Sequence, residues 1–96
     1  MAQVIWSPDL LEDLKLILEY ISRTSPEYAQ TVGERIVSTI EELGEFPDSG
    51  SIVPEFNDLK LREKFVFRYR IIYRVHIDAV EALSIYHGSR ELGDLT

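Results

Sequence analysis

An α+β fold ordered β-α-α-β-β-β is what this sequence of 96 residues predicts. Two stretches, within 10–21 and 29–43, repeat apolar residues at helical spacing. From residue 59 the apolar period changes to two, the spacing of half-buried strands. Helices followed by a run of strands argue for a helical hairpin packed on one face of a small, mainly antiparallel twisted sheet.

Each element has its own signal. Ala2-Gln3-Val4-Ile5-Trp6 is a short strand candidate. Ser7-Pro8-Asp9 then starts a helix: Ser7 caps orphan amides, Pro8 suits the first helical position and Asp9 the positive end of the dipole. Leu10, Leu14, Ile17, Leu18 and Ile21 form its apolar stripe, which predicts a helix over 8–23. Ser25-Pro26-Glu27 repeats the start signal. Ala29, Val32, Ile36, Ile40 and Leu43 follow, ending before Gly44 and Pro47, so a second helix is predicted over 26–43. The short link makes the two an antiparallel hairpin. Gly33, inside the second helix, reads as a place where the helices approach closely.

Residues 46–58 are rich in turn formers and read as a loop of unusual length. Beyond it, two alternating runs meet at a hairpin around Phe67-Arg68. Asp78-Ala79 reads as a turn and 80–86 as a last strand, completing an antiparallel meander. Trp6, Tyr69 and Tyr73 are read as core aromatics. Length allows a single domain over 1–96.

Composition narrows the function. There are no cysteines, which excludes a disulfide scaffold, thiolate metal sites and a cysteine nucleophile. His76 and His87 lack metal-ligand spacing, so neither a metal nor a cofactor is expected. No apolar run approaches the ~20 residues of a membrane span and no signal peptide opens the chain; the expected location is the cytoplasm. The net charge of −7 argues against coating nucleic acid. It is uneven, however. Residues 1–58 carry 12 acids and 3 bases, net −9, whereas 59–96 carry 5 acids and 7 bases, net +2. Any anion-binding role belongs to that second part.

Strand parity sharpens this expectation. With an even pair sum across the hairpin, Lys60, Arg62, Lys64, Arg70 and Arg74 share one face. Leu61, Phe65, Ile71, Tyr73 and Val75 then share the other. An odd sum sets arginines against aliphatics, which burial opposes. The even register therefore predicts five like charges on one face. Such a face is either solvated, bound to an anionic partner, or covered by Glu55 and Asp58 of the loop. Glu63 breaks the pattern, through a bulge or through pairing with an arginine.

Glu55, Arg62, Arg70 and His87 are adequate in type for cleaving RNA through its 2′-hydroxyl. That chemistry needs a base, cations for the phosphate and an acid for the leaving oxygen. His87 at a strand end is more often a structural hydrogen-bonder than a catalyst.

Several segments together resemble one family. Ile5-Trp6-Ser7, Phe46-Pro47 with Gly50, Val53-Pro54-Glu55 and Arg62-Glu63 lead into Tyr69-Arg70-Ile71-Ile72-Tyr73-Arg74-Val75 and His87-Gly88-Ser89-Arg90. The chain is similar over nearly its whole length to the RelE/ParE superfamily, the toxins of type II toxin–antitoxin modules, often labelled plasmid stabilisation proteins. The resemblance implies a small cytosolic protein neutralised by a cognate antitoxin, as a homodimer or a toxin–antitoxin heterotetramer. RelE- and YoeB-like members cut messenger RNA on the ribosome, whereas ParE-like members poison DNA gyrase and are not enzymes in that sense.

The His-Gly-x-Arg ending and the Tyr-Arg-Ile-Ile-Tyr-Arg strand look more like the ParE branch. For the nuclease branch, Glu55 resembles the general base, Arg62 and Arg70 the arginines, and Tyr86-His87 the Tyr-His pair. Gly88 stands where those nucleases end in tyrosine, and −7 is the wrong sign for work against ribosomal RNA. The resemblance thus ranks a gyrase toxin first and a ribosome-dependent endoribonuclease second. An inactive relative that only binds antitoxin is the third reading. In all three, Lys60, Arg62, Lys64, Arg70, Arg74 and Arg90 are the expected binding cations.

Overall fold

The computed structural model describes residues 2–88. Strand β1 (Gln3–Trp6) leads into α1 (Pro8–Ser22) and α2 (Pro26–Glu42). A single 3-10 turn (Pro47–Ser49) precedes β2 (Ser51–Ile52), and β3 (Leu61–Val66), β4 (Tyr69–Val75) and β5 (Ala79–His87) follow. The sheet order is β1-β5-β4-β3-β2. β1 runs parallel to β5, and every other neighbour pair is antiparallel.

The helix starts follow the sequence signals. The Ser7 hydroxyl accepts from Leu10 N–H at 3.0 Å, and Ser25 from Tyr28 N–H at 3.1 Å. Ser7 also donates to Leu83 O at 2.8 Å, and the Asp13 carboxylate accepts from Ile85 N–H at 2.9 Å. Residues at the head of α1 thus satisfy β5 where it runs past the short β1. A Cβ on Gly33 would sit 3.2 Å from Leu18 Cδ1, the close approach expected of the helical hairpin.

The helices cover one face of the sheet. Leu10, Ile21, Ala29, Val32, Ile36 and Ile40 pack with Val66, Ile71, Ala82 and Ile85, and Trp6 and Tyr69 flank them. The opposite face is buried as well. Val53 from the long loop packs on Leu61 and Ile72, beside Leu83 and Tyr86. β4 is therefore closed in on both sides, and Ile71, Ile72 and Tyr73 are buried in succession.

The segment over 46–58 is more than a loop, because Ser51 and Ile52 pair with Glu63 and Arg62 as an edge strand. The predicted register of the hairpin is overturned. Only Phe67 and Arg68 separate β3 from β4, so Val66 pairs with Tyr69 and every pair sum is odd. Phe65 faces Arg70, Arg62 faces Tyr73 and Leu61 faces Arg74. Even pairing is favoured only where one face alone is buried and burial excludes arginine. Here both faces are covered, and the arginines enter with carboxylates. Arg62 and Lys64 share the helix-facing side with Val66, whereas Arg70 and Arg74 lie on the far side with Leu61, Glu63 and Phe65. Lys60 precedes β3. The five cations do not form one face.

Candidate functional site

Arg70 is the centre of the far face. It projects from β4 between Phe65 on β3 and Tyr86 on β5, and is only 5% exposed. Its Nη1 donates to Glu55 Oε2 at 3.0 Å and its Nη2 to Glu55 Oε1 at 3.1 Å, a two-pronged pair. Nε donates to Glu63 Oε1 at 2.9 Å, and Nη2 also bonds Glu63. The guanidinium carbon lies 6.0 Å from the Phe65 ring centre. Hydrogen bonding to Glu55, joined by Glu63, holds Arg70 charged well above its ordinary range, against the opposing effect of burial.

Local structure explains how two carboxylates arrive there. Glu63 lies on the far side by strand alternation from Leu61 and Phe65. Glu55 is presented by a turn anchored on fully buried Val53, whose N–H donates to Leu61 O at 3.2 Å. A second ion pair ties down the same segment: Arg74 Nη1 donates to Asp58 Oδ2 at 2.9 Å. Asp58 is held below the usual carboxylate range by the Lys60 backbone N–H and then by Arg74. Of the ways foreseen for tolerating the cations, cover by Glu55 and Asp58 is the one observed. Glu63 pairs with Arg70, while the register irregularity lies between Ile72 and Tyr73.

Arg62 does different work on the helix-facing side. Its Nη1 donates to Gly50 O at 2.9 Å, and its Nε lies 3.6 Å from Asp48 Oδ1. Opposite it, the Tyr73 hydroxyl donates to Pro47 O at 2.8 Å and accepts from Gly50 N–H at 2.9 Å. Burial pushes the Tyr73 hydroxyl above its ordinary pKa. The pair fastens the 47–50 turn to the sheet.

His87 lies opposite Tyr69, with the rings edge-on and 5.9 Å apart. Tyr86, not His87, shares the far face with Arg70. Of the four residues typed for RNA cleavage, the structure joins Glu55 and Arg70 and separates Arg62 and His87 from them. Lys60 and Lys64 stand apart from the Arg70 network, and Arg90 lies outside the described residues. Among the described residues no cluster of His, Asp and Glu could hold a metal, and no helix is long and apolar enough to cross a membrane.

Sequence reasoning missed the Tyr73 hydroxyl as a tie for the turn. Its signal was available: a buried tyrosine in a central strand needs a partner for its hydroxyl. The double coordination of Arg70 was half visible, since pairing of Glu63 with an arginine was one of two alternatives.

A sequence model for the ParE toxin of type II toxin–antitoxin system, parDE, matches residues 4–92. Toxin RelE2 of Caulobacter vibrioides is 35% identical over 91 residues, covering 94% of this chain and 99% of that protein. Among solved structures, the chromosomal ParDE TA system from P. aeruginosa matches with a TM-score of 0.74. It covers 91% of this chain and 96% of that one at 21% identity, a likeness of fold. The match over nearly the whole chain agrees with the order of elements, and this chain belongs to the RelE/ParE superfamily, the toxins of type II toxin–antitoxin systems.

Proposed function

We propose that this toxin arrests growth by acting on DNA gyrase in the cytoplasm and is neutralised by a cognate antitoxin. The observation that carries this reading is the state of Glu55 and Arg70. Glu55 is engaged as a two-pronged counter-ion, and Glu63 occupies the remaining edge of the guanidinium. A general base and a phosphate-binding arginine have to be presented to RNA. Here the two face each other, and His87 sits on the other side of the sheet. The net charge of −7 supports the same reading, because a ribosome-directed nuclease approaches a polyanion.

A supercoiling assay with the purified chain tests the proposal. Loss of gyrase-dependent supercoiling is the expected result. Unimpaired supercoiling together with cleavage of messenger RNA on added ribosomes overturns it in favour of the endoribonuclease reading. Unimpaired supercoiling without cleavage, and normal growth on expression alone, indicates a chain that only binds antitoxin. An antitoxin gene beside this one, whose co-expression restores growth, is expected in the first two cases.

A further inference from the structure

The tip of the β3–β4 hairpin stands apart from the Arg70 network and carries an unexplained strain. Phe67, the first of two turn residues, has φ 53°. Glycine is the usual residue at such a position, and a bulky side chain there is an outlier. Phe67 remains 45% exposed, so its burial does not compensate for the conformation. It is nevertheless held firmly. Tyr28, from the first turn of α2, lies 6.1 Å away, ring centre to ring centre, and the Arg35 guanidinium sits 5.3 Å from the Phe67 ring centre. The other end of the turn is fixed by Gly88 N–H, which donates to Arg68 O.

Two further features converge on this tip. Phe65, Phe67, Arg68, His87 and Gly88 line a depression of about 260 Å³, enough for one apolar side chain. Arg35 and Arg68 form no ion pair among the described residues, whereas Arg62, Arg70 and Arg74 all have carboxylate partners. Two arginines thus stand beside one strained aromatic with no carboxylate partner among the described residues. Rigid, half-exposed aromatics beside arginine are the composition of interface anchors.

We propose that this tip is a docking surface for an acidic protein segment with one apolar anchor. The anchor enters the depression beside Phe67, and its flanking carboxylates meet Arg35 and Arg68. Charge complementarity favours this occupant over nucleic acid. The cationic patch is small, and the net −7 around it repels an extended polyanion more strongly than a short acidic segment. The inference does not rest on gyrase as the target.

The test is selection of a random-peptide phage library on the full chain, followed by fluorescence polarisation of the enriched peptides. The selected peptides are expected to share an apolar residue flanked by Asp or Glu. Their affinity should fall about tenfold or more for Phe67→Gly and for the Arg35→Ala/Arg68→Ala pair. Glycine adopts this turn without strain, so Phe67→Gly should melt no lower than the parent, which separates lost binding from lost folding. The paired arginine variant keeps Phe67 and the Arg68 backbone carbonyl that holds the turn, and must lose binding too. Failure to enrich acidic peptides, or parental affinity retained in either variant, overturns the proposal. So does an oligothymidine strand that outcompetes the peptides at the same residues, or a self-association of the chain that Phe67→Gly abolishes.

Discussion

Arg70 enters the sheet with two carboxylates, and that ratio determines what its removal does. Exchange for a neutral side chain leaves Glu55 and Glu63 facing each other without a cation. Arg70→Met is therefore expected to destabilise the fold by about 3–5 kcal/mol in urea denaturation. Adding Glu55→Gln and Glu63→Gln should recover much of that loss, because the uncompensated charge is gone. A single variant within about 1 kcal/mol of the parent would falsify the structural role given to this ion triad. Asp13 presents the reverse case. Burial raises its pKa, with smaller contributions from Asp9 and Glu12, against the lowering effect of Ile85 N–H. A carboxyl whose folded pKa exceeds its unfolded value opposes folding while it is charged. That opposition disappears as pH falls through the folded pKa. Asp13→Asn keeps an oxygen for Ile85 N–H without the charge. Its expected signature is greater stability than the parent at neutral pH, with the gap closing in acid. A gap independent of pH would assign the effect to something other than ionisation.

The 47–50 turn shows the same logic in a whole element. A 3-10 turn and a two-residue strand hold little structure alone, so they depend on ties to β3 and β4. Tyr73 supplies two of those ties through one hydroxyl, and Arg62 another through its Nη1. Tyr73→Phe leaves a half-buried carbonyl and a buried N–H without the hydroxyl, at an expected cost of about 1–3 kcal/mol. Faster amide exchange at Gly50, with little change at Ile71, is the local check. Gly50 has no space to offer: a Cβ there would lie 2.4 Å from Glu63 O and 2.6 Å from the Tyr73 hydroxyl oxygen. Gly50→Ala should therefore damage the turn more than Tyr73→Phe does, and equal stabilities would show that the backbone yields. Gly33 contrasts with it, because its neighbour is the movable end of Leu18.

Across the whole molecule, the sequence was legible where period and punctuation act locally. Ser7-Pro8 and Ser25-Pro26 placed both helix starts, and the change of period after 59 placed the meander. The β3–β4 register depended on a non-local fact, that Val53, Glu55 and Asp58 return to cover the far face. Alternation over 60–75 was read as one apolar and one charged side, when the loop makes a second core and its acids neutralise Arg70 and Arg74. Cover of the cations by Glu55 and Asp58 was one of the alternatives the residues offered, but spacing did not say which acid meets which arginine. This architecture also implies unequal stability. β4 has partners on both edges and cover on both faces, whereas the 53–60 segment is held by Val53, two ion pairs and the Val75 N–H bond to Lys60 O. The Arg74–Asp58 pair is more than a third exposed on both partners, so solvent screens it and it holds the segment weakly. Native-state hydrogen exchange should therefore find Ile71 and Tyr73 opening only with global unfolding, and Val53 N–H opening at lower free energy. Glu55→Gln with Asp58→Asn should speed exchange at Val53 and leave Ile71 unchanged, because Glu63 still holds Arg70. If Val53 and Ile71 keep one common opening energy in that variant, the covering segment belongs to the same cooperative unit as the central strand. Its ion pairs would then be incidental to its attachment.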